Sequence, residues 1–217
     1  MPVPSKIILF DCDSTLSAIE GVDEMGRLRG PEIFRAVEDM TNDAMNGGTP
    51  LEKVFAKRLE IIRPTRAMCD LVADLYDAAR APDLAATLAT LRDEGWTAMI
   101  VSGGFRQAIL PFAAKLGIDR VVAVDLFFDE RGEYAEFDTG APTARSGGKP
   151  DVVRMIRDEY PDSRIVMMGD GASDLECRGV ADRFVGFGGF VSRPKVKAGA
   201  DVFIGGFAEL PAALKGL

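Results

Sequence analysis

The chain has 217 residues, 47% hydrophobic and 28% charged, an ordinary globular composition that excludes disorder and fibrous repeats. Its 26 Lys and Arg against 34 Asp and Glu leave a net charge of −8; with no basic run to offset it, this opposes nucleic-acid or anionic-membrane binding. The absence of histidine removes Ser-His-Asp triads, imidazole zinc sites and histidine acid/base chemistry, so catalysis must run on carboxylates, Lys, Cys, Ser or a hard metal.

Lys6–Phe10 is a continuous apolar run, as in a strand buried on both faces. It is too short for a signal-peptide core, and no apolar run nears the roughly 20 residues that span a bilayer. Cys12, Cys69 and Cys177 are too far apart and too few for a disulfide framework. A soluble, cytoplasmic protein is expected. Four amphipathic helical patterns follow, at about 22–28, 31–45, 50–62 and 66–80, with no convincing strand among them. After Pro82 helix and strand alternate: helix 84–94, strand 97–101, and helix 105–116 containing Pro111.

Residues 121–128 and 133–138, split by Glu130-Arg131-Gly132, read as a β-hairpin. A helix at 149–159, strands at 164–168, 183–187 and 201–204, and a C-terminal helix complete the chain. This alternation predicts an α/β fold with a doubly wound parallel sheet. Residues 1–16 and 82–217 would form the core, and 17–81 a helical insertion after the first strand.

Polar residues gather behind three predicted strands. Phe10 leads into Asp11-Cys12-Asp13-Ser14-Thr15, Val101 into Ser102-Gly103-Gly104, and Met168 into Gly169-Asp170-Gly171-Ala172-Ser173-Asp174. Ser146-Gly147-Gly148-Lys149 opens a helix just upstream of the last of these. Taken singly, each is an ordinary turn or cap: Asp11-x-Asp13-Ser14 an Asx-turn, Ser102 an N-cap, Lys149 a solvated first-turn residue. Repetition at successive strand ends, where open α/β sheets bind ligands, favours a site.

Clustered carboxylates repel unless a cation sits among them, and oxygen donors suit Mg²⁺. Ser102, the following N–H groups and Lys149 would hold an anion facing Asp11. That arrangement describes phosphoryl transfer to an aspartate. Asp11 attacks phosphorus, Asp13 protonates the leaving oxygen and later deprotonates water, Asp170 helps hold the metal, and Asp174 orients the metal's surroundings or Lys149.

At Asp11–Glu24, Val101–Phe105, Gly147–Pro150, Gly169–Asp174, Val185–Gly189 and Val196–Asp201 the chain resembles the haloacid-dehalogenase superfamily of aspartate-dependent phosphatases. The Glu20-Gly21 continuation resembles its phosphoserine-hydrolysing branch. The resemblance implies a Mg²⁺-dependent hydrolase acting on a small phosphorylated metabolite, with a helical cap; the hairpin at 121–138 is expected as a flap over the site from its position alone. It also implies Mg²⁺ bound by the Asp11 and Asp170 carboxylates and the Asp13 backbone carbonyl. Phosphate would lie on Ser102, Gly103 and Lys149, and the amino and carboxylate ends of serine on Glu20 and Arg58.

Met45 and Leu51 would line the same pocket, Leu51 replacing a phenylalanine found in many members. Ser173 stands where asparagine or threonine is common. Arg58 has independent support, because it falls near the centre of the apolar arc of Leu51, Val54, Phe55, Leu59, Ile61 and Ile62. A snorkelling arginine belongs at the edge of such an arc, whereas an inward guanidinium suits bidentate capture of a carboxylate.

Three rival readings differ in chemistry or substrate. One is a phosphatase or phosphotransferase for another small phosphorylated metabolite. Another is a receiver-like domain that only stores an aspartyl-phosphate, although receivers are about half this length and place the aspartate after a central strand. The third is a cysteine phosphatase suggested by Cys177-x5-Arg183, whose interior lacks the small residues of a phosphate nest.

Overall fold

Lys6–Phe10 forms strand β1 with four consecutive buried residues, and its two faces feed different cores. Ile8 and Phe10 join the cluster holding Leu84, Leu88, Leu91 and Phe207, while Ile7 and Leu9 join Val152, Val153 and Ile156. That double burial is why the run is apolar without alternation. The structure is a computed structural model that describes residues 3–45 and 51–217, the side chains of 44, 45, 51 and 52 excepted.

Four helices follow β1: Gly21–Arg29 (α1), Pro31–Met45 (α2), Leu51–Ile62 (α3) and Arg66–Ala78 (α4). Thr65 caps α4 by accepting from the Met68 N–H at 3.2 Å. Leu84–Asp93 (α5), Trp96–Phe105 (β2) and Arg106–Leu116 (α6, with Pro111 inside it) come next. Arg120–Val124 (β3) precedes the short pair Leu126–Phe128 (β4) and Tyr134–Phe137 (β5). Gly148–Glu159 (α7), Arg164–Gly169 (β6), Ala172–Leu175 (α8) and Arg183–Phe187 (β7) then lead to Pro194–Gly199 (α9), Val202–Ile204 (β8) and Leu210–Ala213 (α10).

The main sheet has the order β3-β2-β1-β6-β7-β8, and every pairing within it is parallel. The doubly wound α/β expectation therefore stands. Chain direction across the sheet reverses at β1 and β6, the crevice where such sheets take ligands. Register levels the strand ends there, with Phe10 opposite Ile100 on one side and Met168 on the other.

The expected hairpin over 121–138 needs correction. Arg120–Val124 leaves it to become the parallel edge strand beside β2, and only Leu126–Phe128 pairs antiparallel with Tyr134–Phe137. The break is at Asp125, whose carboxylate accepts from Gln107 Nε2 at 3.0 Å, while Val121, Ala123 and Val124 are buried. The short helices α8 and α9 also go beyond what periodicity suggested, being too brief to repeat a pattern. No helix among the described residues is long and apolar enough to cross a membrane.

Candidate active site

Asp11 follows β1 directly and Asp170 follows β6, so parallel pairing of those strands brings the two carboxylates together. Asp174 joins them from α8, and the three offer ligand oxygens that all lie within 4.8 Å of one another. Each is buried. Burial, and then the charge of Asp11, pushes the Asp170 carboxyl up to about 7 and that of Asp174 up to about 8. Clustered hard oxygen donors of this kind have the chemistry to hold a divalent cation.

Lys149 enters the same cluster from the first turn of α7. Its Nζ lies 2.8 Å from Asp11 Oδ1 and 2.5 Å from Asp174 Oδ1. Burial opposes the ammonium charge, but Asp11 and Asp174 more than offset it, so the pKa of Lys149 is raised. Asp174 is fixed further by the Gly171 N–H, which donates to Oδ2 at 2.9 Å. Gly148 makes the approach of α7 possible, because a Cβ there would run into the Pro142 carbonyl. Lys149→Met leaves two carboxylates buried without their ammonium. In metal-free protein at pH 8 it is expected to cost about 3–5 kcal/mol, read by urea unfolding.

Ser102 and Gly103 lie where β2 breaks register with β3, between Val101 and Phe105. Ser102 is fully buried and does not cap α6, whose N-cap is Phe105. Its Oγ instead accepts from the Gly104 N–H at 2.9 Å and donates to Asp13 Oδ2 at 3.3 Å. The Asp13 carboxylate therefore faces β2 and α1, outside the acidic trio. Its other oxygen, Oδ1, accepts from the Gly21 N–H at 2.5 Å and from Tyr76 Oη at 2.7 Å. Burial and then Asp11 raise the Asp13 carboxyl above its usual range.

Glu20 precedes α1 and accepts from Ser14 Oγ at 2.7 Å. Ser14 holds a φ of +50°, a left-handed backbone that non-glycine residues seldom adopt. Burial, then Asp13, pushes the Glu20 carboxyl well above its ordinary value. Arg58 points inward from α3, with 4% of its surface exposed. Its Nη1 donates to Thr41 Oγ1 at 3.0 Å, and Thr41 Oγ1 lies 2.5 Å from Asp23 Oδ1, to which it donates. Nε of Arg58 has no hydrogen-bond partner among the described residues. Burial lowers the pKa of this guanidinium and raises the Asp23 carboxyl to about 6.

Ser173 sits half-buried in α8, beside Asp174. Met45 and Leu51 fall at the ends of α2 and α3, and their side chains lie outside the described residues. Cys177 is fully buried in the cluster with Val152, Val153 and Phe184, out of reach of a phosphate ester, and burial followed by Asp174 raises its thiol pKa; both count against the cysteine-phosphatase reading.

Several contacts had no local signal in the sequence. Arg193, the N-cap residue of α9, donates from Nε to Asp170 Oδ2 at 3.1 Å, and Thr15 Oγ1 donates to Asp170 Oδ1 at 3.3 Å. Thr41 and Asp23 beside Arg58, and Tyr76 on Asp13, were likewise unforeseen.

Residues 8–178 match the model of the haloacid dehalogenase-like hydrolase family. The chain is 38% identical over 210 residues to a phosphoserine phosphatase of Bos taurus, covering 96% of this chain and 92% of that protein. Among solved structures, a phosphoserine phosphohydrolase-like protein from Francisella tularensis superposes with a TM-score of 0.86 at 26% identity, over 96% of this chain and 99% of that one. A phospho-aspartyl intermediate analogue of phosphoserine phosphatase gives 0.81 at 26% identity, over 98% and 100%.

Proposed function

Because this chain belongs to the haloacid dehalogenase-like hydrolase family and is a phosphoric monoester hydrolase, we propose that it converts O-phosphoserine to serine and phosphate. The observation that carries the substrate choice is the buried Arg58 guanidinium, whose Nε has no hydrogen-bond partner among the described residues, on an otherwise apolar helix face. A buried cation with spare donors is costly unless something anionic completes it, and a substrate carboxylate does so. Glu20, held by Ser14, is the group of opposite sign for the ammonium.

In this reading the carboxylates of Asp11 and Asp170 and the backbone carbonyl of Asp13 would hold Mg²⁺, which would supply positive charge to offset that of the phosphoryl group and its nucleophile. Ser102, the Gly103 N–H and Lys149 hold the phosphoryl oxygens. The Asp11 carboxylate attacks phosphorus in line, and the P–O bond to serine breaks with its electron pair going to the serine oxygen. Asp13 gives that oxygen its proton. It then accepts a proton from the water that attacks the aspartyl-phosphate, and Asp11 leaves as a carboxylate.

Asp174 holds Lys149 against Asp11, and Arg193 holds Asp170. Residues 17–81 act as a cap that carries Arg58 over the strand ends, with 1–16 and 82–217 as the catalytic core. Ser173, beside Asp174, belongs to the rim of the serine pocket. The three cysteines are free and buried, which suits a reducing setting such as the cytoplasm.

Arg58→Ala tests the assignment. It is expected to raise KM for O-phosphoserine about a hundredfold and to change KM for O-phosphoethanolamine, which lacks the carboxylate, less than about threefold. A panel of phosphorylated metabolites in which a sugar phosphate is turned over more efficiently than O-phosphoserine would overturn the serine reading.

A further inference from the structure

Tyr76 is one of the largest fully buried side chains in the molecule, and its hydroxyl lies against the proposed acid/base group from a helix 63 residues away. The geometry points to Tyr76 as a positioning residue that selects which oxygen of Asp13 carries the proton. This inference rests on the assignment of Asp13 as proton donor.

Asp13 Oδ1 already accepts twice, from the Gly21 N–H and from Tyr76 Oη. A carboxyl oxygen has two lone pairs, and two donors on Oδ1 use its capacity to accept, so a proton on the carboxyl belongs on Oδ2. Oδ2 is the oxygen on the β2 side. It meets Ser102 Oγ at 3.3 Å, and a Cβ on Gly104 would come within 2.8 Å of it. The proton is thereby delivered on the Ser102 side, where the leaving oxygen must lie if Ser102 holds the phosphate.

The ring has little room to give up this contact. It stacks on Phe112 of α6 with centroids 5.8 Å apart and planes 14° from parallel. The hydroxyl fills the space beside Gly21, where any Cβ would run into it. The plain alternative is that a buried tyrosine needs some hydrogen-bond partner and that Asp13 is convenient. A structural role of that kind would affect all substrates alike, whereas a role in proton delivery depends on whether the leaving group needs a proton.

In Tyr76→Phe the Asp13 carboxyl keeps the Gly21 N–H on Oδ1 and Ser102 on Oδ2, but Oδ1 now has a free lone pair and the carboxyl proton is no longer committed to Oδ2. The serine oxygen leaves poorly without a proton, and p-nitrophenolate leaves well without one. The test is the single-turnover rate of leaving-group release from O-phosphoserine and from p-nitrophenyl phosphate, with Mg²⁺ and the full chain in excess over substrate.

Tyr76→Phe is expected to slow serine release about 10- to 100-fold, part of the 10²–10⁴-fold typical of general acid catalysis, and p-nitrophenolate release less than about threefold. Gly21→Ala, which displaces the hydroxyl while keeping the tyrosine, is expected to give the same selective loss and serves if Tyr76→Phe folds poorly. Equal slowing of both substrates, or of neither, by both variants overturns the positioning role. Asp13→Asn on the same pair separates the two readings. If it is selective and the Tyr76 and Gly21 variants are not, only the inference about Tyr76 fails; if it is not selective, the assignment of Asp13 fails as well.

Discussion

Asp11→Asn is expected to lower kcat for O-phosphoserine by about 10⁴-fold or more, while the variant still unfolds in one cooperative transition. Asparagine matches the shape of the side chain and keeps an oxygen for Lys149, which lies 2.8 Å from Asp11 Oδ1. It cannot become an acyl phosphate and then leave as a carboxylate. Binding and orientation by Ser102, Lys149 and Arg58 survive, so KM should move far less than kcat. Freshly purified protein is needed, because slow deamidation would regenerate the aspartate. Turnover within about tenfold of the unaltered enzyme would rule out Asp11 as nucleophile.

The second large effect concerns pH in the absence of metal. The Asp170 carboxyl is raised from 3.8 to about 7 and that of Asp174 to about 8, both by burial and then by Asp11. The folded chain therefore holds protons that the unfolded chain has lost between about pH 4 and pH 8. Stability is greatest at the acid end of that window and falls as pH rises through it.

A carboxyl moved from 3.8 to about 7 corresponds to about 4 kcal/mol, and coupling through Lys149 keeps the pair below twice that. In EDTA the melting temperature is expected to fall by about 10 °C between pH 5 and pH 8. Mg²⁺ should restore most of it at pH 8 and little at pH 5, where the proton competes for the same oxygens. Calorimetry on EDTA-treated and Mg²⁺-loaded protein at both pH values provides the check. A Mg²⁺ gain that is larger at pH 5 would contradict a carboxylate site.

The sheet and the acidic trio were legible in the sequence because each contributing piece is contiguous. A buried strand runs straight into its polar residues, and parallel register then levels Asp11 with Asp170. Arg58 was legible for a different reason: a guanidinium at the centre of an apolar arc violates the pattern around it. Tyr76 gave no such sign. At positions 69, 72, 73 and 76 it simply completes the buried face of α4, and nothing nearby encodes a partner for its hydroxyl.

Arg193 was hidden likewise, since its contact with Asp170 depends on how the chain after β7 returns over the strand ends. The hairpin was misjudged because an apolar run does not state which neighbour it will pair with. Asp125 ended one strand and began another within what looked like a single segment.

The most direct measurement of the central claim is acid quenching of a single turnover of O-phosphoserine, followed by mass spectrometry of the peptide spanning Asp11. The account predicts one transient phosphoryl group on Asp11, labile to hydroxylamine, that forms as serine is released and disappears as phosphate appears. Serine release with no phosphorylated enzyme at any quench time, or phosphate found on Ser102 or Cys177 instead, would contradict it.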